Sequence, residues 1–352
     1  MEPLRGGLIG FGFIAEHGHV PAYASRAVPL EVVAVAEPCT ARHPAIARLL
    51  PGARVYRRHE DLLAREKLDF VDVCTPPASH APIALEALER RLHVLCEKPL
   101  AATAAEADTM AQAARSAGRV LYPGHSYRHA PVVRAVRGAL EGDRIGRVTM
   151  ATLDTYRTGH ARGVPEWQPD WRRDPRQSGG GILLDHGPHT SYLAFEWMGG
   201  YPSSVSAWTR ALRGGVEDDA AVVMTFARGI VRAHLTWNAA FRRVIYTLHG
   251  ERGAIRVEDD EVEILVRTAG GDVGEKIARP SDWKDAGHGP RFEGVFRGFV
   301  RAVREGVVVG AETRDALMGM RTIDAALRSA RRGGGPAPVQ PLEAARVLEK
   351  SA

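Results

Sequence analysis

Cysteine is scarce: Cys39, Cys74 and Cys96 are the only three in 352 residues, far apart and without a CxxC pair. That excludes a disulfide framework and a cysteine-rich metal centre. Cys74 and Cys96 each end an apolar run and read as small buried thiols. Long apolar runs are also missing, since no stretch approaches the roughly 20 residues that a bilayer span needs. The opening MEPLRGGLIGFG lacks a charged region leading into an apolar signal core. These absences predict a chain working in a reducing, cytoplasmic setting with no membrane partner. Clustered charge is absent as well. The net charge of +5 comes from arginines spread along the chain, with no basic run interleaved with aromatics, which argues against nucleic acid as a partner. There is no internal repeat.

What is present is an ordinary globular composition, 45% hydrophobic and 25% charged, in a length that predicts two domains. The first third alternates strand-like and helix-like segments. Leu8-Ile9 enters a glycine turn, and EVVAVA (Glu31 to Ala36), FVDVCT (Phe70 to Thr75) and HVLC (His93 to Cys96) read as buried strands. Alanine-rich helices are predicted over 81–92 and 103–117, the latter closed by Gly118, with Val120 to Tyr122 as a further strand. That alternation implies a doubly wound parallel sheet over 1–123. From 124 to 352 the pattern changes. A helix over 130–141 precedes a polar, tryptophan-bearing loop from Thr158 to Gly181, and a short helix over 188–198 follows. Closely spaced strands over 205–212, 220–226, 231–238, 244–249, 254–257 and 261–266 then predict an antiparallel meander. Two helices, 291–305 and 313–331, close the chain, and GGGPAP (Gly333 to Pro338) reads as a loop.

Chemistry concentrates at three places. Gly10, Phe11, Gly12, Phe13, Ile14 and Ala15 fit GxGxxA between a strand and a helix. Gly10 permits the tight turn, Gly12 lets a pyrophosphate approach the backbone, and Ala15 allows close helix packing, while free N–H groups at the helix start face the phosphates. The Gly6-Gly7 pair looks like a weakness in the preceding strand. Glu37, ending the next strand, is placed to accept hydrogen bonds from ribose hydroxyls and to repel a 2′-phosphate, so NAD is expected over NADP, with Arg42 nearby as a softening influence. The alternative for Glu37 is a solvated strand-end carboxylate.

The second place is Glu97-Lys98-Pro99, at the end of a strand where ligands bind in such sheets. Lys98 there suits a bond to a substrate hydroxyl, and Lys98-Pro99 is a candidate cis bond. The third is GGGILLDHGPH. Pro188 suits the first position of a helix, Asp185 suits its cap, and His189, four residues on, has the ordinary pKa of a base for a hydroxyl proton, with a neighbouring carboxylate to orient it. Asp185, His186 and His189 also have the chemistry of zinc ligands, but no HExxH pattern accompanies them and no metal is expected.

Taken together, GFGFIA, TPPASH (Thr75 to His80), CEKPLA, GGGILLDHGPH and the closing TIDAALRSARRG resemble, in order and over nearly the full chain, the glucose–fructose oxidoreductase / inositol dehydrogenase / MocA family. The resemblance implies an N-terminal Rossmann domain and a C-terminal α+β domain with an open, mainly antiparallel sheet. It also implies homo-dimers or homo-tetramers built through that sheet, and a last helix packing back toward the N-terminal domain. It implies Lys98, Asp185 and His189 as the catalytic set, and adds Thr75, Pro76, His80 and Glu97 as cofactor-lining residues. Arg128, in GHSYR (Gly124 to Arg128), and Trp171 and Arg172 in the long loop are implied near the substrate. Ser126 stands where the family more often has asparagine. The expected activity is hydride transfer between NAD and a secondary alcohol of a sugar, inositol or related polyol. Two alternatives stay open: glycoside cleavage or epimerisation with NAD as a transient internal oxidant, and a non-catalytic dinucleotide-sensing regulator.

Overall fold

The computed structural model describes residues 2–167, 170–278 and 288–342. Six short strands, β1 (Leu4–Ile9), β2 (Leu30–Ala36), β3 (Arg54–Tyr56), β4 (Phe70–Val73), β5 (His93–Cys96) and β6 (Leu121–Pro123), form a parallel sheet in the order β3-β2-β1-β4-β5-β6. The order reverses between β1 and β4, and the crevice beyond their carboxyl ends is the ligand position of such a sheet. The glycine pair in β1 is covered by core side chains. A Cβ on Gly6 would lie 2.2 Å from the Phe70 ring and one on Gly7 2.8 Å from Leu62, so the missing side chains make room for core residues. The register of β1 against β2 slips between the two glycines.

Helices α1 (Val20–Ala24), α2 (His43–Leu49), α3 (His59–Arg65), α4 (His80–Glu89) and α5 (Ala104–Ala117) connect these strands. The chain enters α1 through a π-turn, Ala15–His19. Thr103 and Glu106 cap α5 reciprocally, and Gly118 ends it at φ +61°, a conformation that glycine adopts without a Cβ penalty. Strand β3 and helices α2 and α3 go beyond the sequence expectation; with three residues, β3 is too short to show a period.

Beyond β6 come α6 (Pro131–Glu141), β7 (Val148–Tyr156), α7 (Pro175–Ser178), α8 (Ile182–Met198) and strands β8 (Ser204–Arg210), β9 (Asp219–Phe226), β10 (Gly229–Thr236), β11 (Arg243–Gly250), β12 (Gly253–Glu258), β13 (Glu261–Thr268) and β14 (Gly271–Ala278). Helices α9 (Gly289–Glu305) and α10 (Ala311–Arg331) and the two-residue β15 (Ala337–Pro338) follow. The large sheet runs β14-β13-β12-β11-β7-β10-β9-β8-β15. It is mostly antiparallel, as expected, but the meander is split. Strand β7, absent from the sequence reading, inserts between β10 and β11 and runs parallel to β10. The GGGPAP stretch is not wholly a loop, because its end pairs with β8 as β15.

One face of the large sheet is buried under α8 and α10, while the other exposes Met150, Trp208, Ile230 and Leu265. Helix α9 returns to the first sheet, where Phe292, Phe296 and Phe299 pack with Tyr23, Phe70, Leu95 and Tyr122. Among the described residues, no helix is long and apolar enough to cross a membrane.

Candidate active site

A cleft of about 510 Å³ lies between the carboxyl edge of the first sheet, the start of α8 and the 158–181 loop. Gly10, Phe11, Gly12, Phe13, Ile14, Glu37, Thr75, Pro76, Glu97, Lys98, Trp171, Arg172, Asp185 and His189 line it. Ala15 is fully buried behind the turn, consistent with its packing role.

At one end, Gly10 has φ +91° and a Cβ there would strike the Cys74 backbone, whereas a Cβ on Gly12 would meet no protein atom within 4 Å. The fold therefore has no need of glycine at 12, and the open space is what a dinucleotide approaching the backbone requires. Glu37 is not the solvated carboxylate of the bland alternative. It is buried, accepting hydrogen bonds from the Phe11 N–H (2.7 Å) and the Cys39 N–H (2.8 Å), and its remaining lone pairs are free for ribose hydroxyls. Arg42 is neutralised by Glu16 and by Glu166 of the long loop, which leaves it poorly placed for a 2′-phosphate. Among the described residues, the Thr75 hydroxyl has no partner where it is buried at the cleft wall. These features fit a bound dinucleotide.

At the other end, Lys98 follows β5 and its bond to Pro99 is cis. Its Nζ donates to the Asp185 backbone carbonyl (2.9 Å) and carboxylate (3.1 Å). Helix α8 starts six residues before Pro188, so Pro188 lies inside the helix and Asp185 is a first-turn residue rather than its cap. The reason lies in the three glycines. A Cβ on Gly181 would sit 1.8 Å from the Glu217 carbonyl, and that carbonyl and carboxylate accept the Ile182 and Gly181 N–H groups, docking the helix start onto the turn before β9. Burial opposes ionisation of Asp185, but Lys98, His186 and Arg172 outweigh it and hold its carboxyl well below the usual range.

The His189 ring is held differently from the sequence expectation. Its Nδ1 lies 2.7 Å from the Tyr192 hydroxyl, and the ring stacks on Tyr127 at 3.8 Å and 8°. Asp185 is engaged by Lys98 and does not orient the imidazole. Tyr192 in turn accepts the Tyr127 N–H at 3.2 Å. Burial, then the positive Lys98, depresses the His189 pKa well below the ordinary histidine value, and His186 falls to about 3 for the same leading reason.

Two implied residues stand away from the cleft. Arg128 points to its rear, pairing with Asp315 and stacking on the Tyr192 ring at 5.2 Å. The turn Ser126–His129 directs Tyr127 inward and Arg128 outward, so GHSYR touches the site one residue earlier than expected. His80 is a buried brace, its ring nitrogens each 2.8 Å from the carbonyls of Thr75 and Pro99, holding the two lining turns together.

Sequence reasoning missed His19, whose Nδ1 and Nε2 meet Asp72 (2.7 Å) and Glu97 (3.1 Å) beneath the Lys98 turn, with Tyr23 and Cys74 beside them. Its only signal is a position four residues after Ala15, on the inner side of the first helical segment. Arg157, Trp237 and Arg242 were missed too, because the strands carrying them come together only in the large sheet.

Residues 4–125 match the model of the Gfo/Idh/MocA oxidoreductase family, NAD-binding Rossmann fold, and residues 133–256 match the Gfo/Idh/MocA C-terminal domain. A 1,5-anhydro-D-fructose reductase of Ensifer adhaerens is 32% identical over 255 residues, 71% of this chain and 74% of that protein. Levoglucosan dehydrogenase in complex with NADH and levoglucosan shares the fold at TM-score 0.83 and 23% identity, over 96% of this chain and 100% of that one. GenD2 from gentamicin A biosynthesis in complex with NAD is similar at TM-score 0.79 and 27% identity, over 97% of each chain.

Proposed function

The chain belongs to the Gfo/Idh/MocA oxidoreductase family, with an NAD-binding Rossmann domain, and from that premise we propose that it transfers a hydride between NAD and a secondary alcohol of a sugar or sugar derivative, with Lys98, Asp185 and His189 at the reacting carbon. The observation that carries the proposal is the convergence of these three side chains at one end of a cleft whose other end suits a dinucleotide.

The glycine turn, Thr75 and Glu37 hold the cofactor, with NAD favoured because Glu37 faces the cleft and Arg42 is already paired. Bound there, the nicotinamide supplies the hydride acceptor or donor. His189, neutral near pH 7, takes the hydroxyl proton at Nε2 while its Nδ1–H donates to the Tyr192 oxygen. Lys98 donates to the substrate oxygen, and Asp185 fixes the ammonium in place. We assign residues 1–123 to cofactor binding and 124–352 to substrate binding. The apolar outer face of the large sheet, with Met150, Trp208, Ile230 and Leu265, supports a homo-dimer or homo-tetramer. Three free cysteines, two of them buried, suit a reducing cytoplasm.

One observation favours the internal-oxidant variant. Glu166 in the long loop reaches across to Arg42 and its carbonyl meets Cys39, fastening the loop over the adenosine end of the cleft. The test is the near-ultraviolet absorbance of NADH, followed with apo-protein, NAD or NADP, and a panel of sugars, inositols and sugar acids. Net reduction of NAD is expected. No reduction, with NAD released on denaturation, replaces the dehydrogenase by the internal-oxidant reading.

A further inference from the structure

Arg157 follows β7, and Trp237 follows β10 directly beside it, since the Arg157 N–H donates to the Thr236 carbonyl. Both are more than nine-tenths buried and both line the cleft. Arg157 Nη1 is tied to the carbonyls of Tyr156 (2.9 Å) and Arg243 (3.4 Å), which locks the guanidinium against the sheet. Among the described residues, its Nη2 and the Trp237 Nε1 are buried without a hydrogen-bond partner. A buried donor left unmet costs on the order of 1–3 kcal/mol, more when charged, so two adjacent ones mark a ligand position.

The charge around them points the same way. Lys98, Arg157, Arg162, Arg172 and Arg242 share this end of the cleft with Asp185. Lys98 and Arg172 answer Asp185. Among the described residues no carboxylate lies within ion-pair distance of Arg157 or Arg242, because Asp259 is taken by Arg243 and Asp154 by Arg232. Partial desolvation and the neighbouring Arg157 hold the guanidinium of Arg242, an exposed residue at the cleft rim, below its usual range, as befits two cations side by side. Arg157 also stands near His186, on the wall that carries the catalytic set.

We propose that the substrate is an acidic sugar whose carboxylate or phosphate is bound by Arg157 and Arg242, with the Trp237 N–H as a third donor. Guanidinium groups meet planar carboxylates and phosphates with paired, charge-assisted hydrogen bonds, and in a walled cleft this contact fixes which carbon faces the nicotinamide. The inference rests on the sugar-dehydrogenase reading for the sugar, but the anion site stands on its own residues.

The experiment titrates NADH-loaded protein with D-glucuronate, D-gluconate and D-glucose 6-phosphate against D-glucose, followed by fluorescence of Trp167, Trp171 and Trp237 at the cleft. An acid should bind ~10- to 100-fold more tightly than glucose, the scale of one or two charge-assisted hydrogen bonds. Arg242→Ala and Arg157→Lys, each checked by thermal unfolding, should remove most of that margin; the lysine keeps the charge but loses the free Nη2. Stronger binding of the carboxylates identifies a sugar acid, and stronger binding of the phosphate a sugar phosphate. Glucose binding as tightly as every acid, or no acid binding, overturns the proposal. So does a loss of NADH affinity in the two variants with no effect on the acids, since the anion would then be the cofactor's own. Turnover is measured in parallel. Preference for an acid without NAD reduction keeps the anion site and sinks the dehydrogenase reading, whereas reduction with neutral sugars and no acid preference does the reverse.

Discussion

The two ends of the cleft are built in different ways. The dinucleotide end consists mostly of backbone and of short side chains beside it: Gly10, Gly12, the Thr75 hydroxyl, and a Glu37 carboxylate fastened by two N–H groups. The sugar end consists of long charged and aromatic side chains from β5, β7, β10, α8 and the 158–181 loop, several with donors still unmet. One end recognises a ligand common to many enzymes and is compact in sequence. The other recognises a particular substrate and is gathered from distant segments. Backbone contacts tolerate almost no variation, whereas a set of side chains on strand ends and a loop can change one at a time.

The largest expected effect tests whether chemistry belongs to the sugar end alone. His189→Ala should lower turnover about 10²- to 10⁴-fold, the contribution of a positioned base, with NAD affinity unchanged by calorimetry. Lost NAD affinity would instead merge the two ends. Gly12→Val is the reciprocal change. A Cβ at this position meets no protein atom within 4 Å, so the unfolding temperature should hold while NAD binding falls on the order of 100-fold through a displaced pyrophosphate. Retained NAD binding would mean that the dinucleotide does not pass over this turn.

Acid should then separate the ends by protonation. His186 and His189 are kept neutral by burial, with pKa values below that of the unfolded chain. From pH 6.5 down to about 3 for His186 the unfolded state binds protons that the folded state refuses, so stability is present above pH 6.5 and falls as pH drops, by ~1.4 kcal/mol per pH unit for each such histidine. His19, raised by Asp72 against the opposing burial, is charged in both states over that window and adds no slope. Urea midpoints across this range measure the effect, and His189→Gln should make the slope shallower by one histidine's share, since burial depresses His80, His93, His125 and His129 as well. The smallest change expected is Tyr192→Phe, which removes the partner of His189 Nδ1. Turnover should fall about 3- to 10-fold with KM for NAD unaltered, the scale of one neutral hydrogen bond. An unaffected rate would assign the ring's orientation to its stacking on Tyr127.

Legibility followed the same division. The glycine turn, Glu37, the Lys98 turn and the Asp185–His189 segment were all readable, because each depends on residues a few positions apart. Helix α8 was placed six residues late, since its true start is set by Glu217 pressing on Gly181, a contact across 36 positions. The resemblance of GHSYR implies Arg128 at the site, but a single turn of backbone faces Tyr127 inward instead. Asp185 was given the orienting role that Tyr192 holds, because sequence spacing does not say which partner Lys98 captures.

By itself, the sequence determined the strand–helix alternation, the cofactor turn and the short segments that carry the proposed catalytic set, because local backbone requirements and hydrophobic period act over a few residues. Only the tertiary structure decided how β7 enters the large sheet between β10 and β11, and with it that Arg157 and Trp237 stand side by side in the cleft wall, each with a buried donor unmet among the described residues. Strand pairing over some eighty positions is set by the packing of the whole sheet beneath α8 and α10. No short stretch of sequence carries that information.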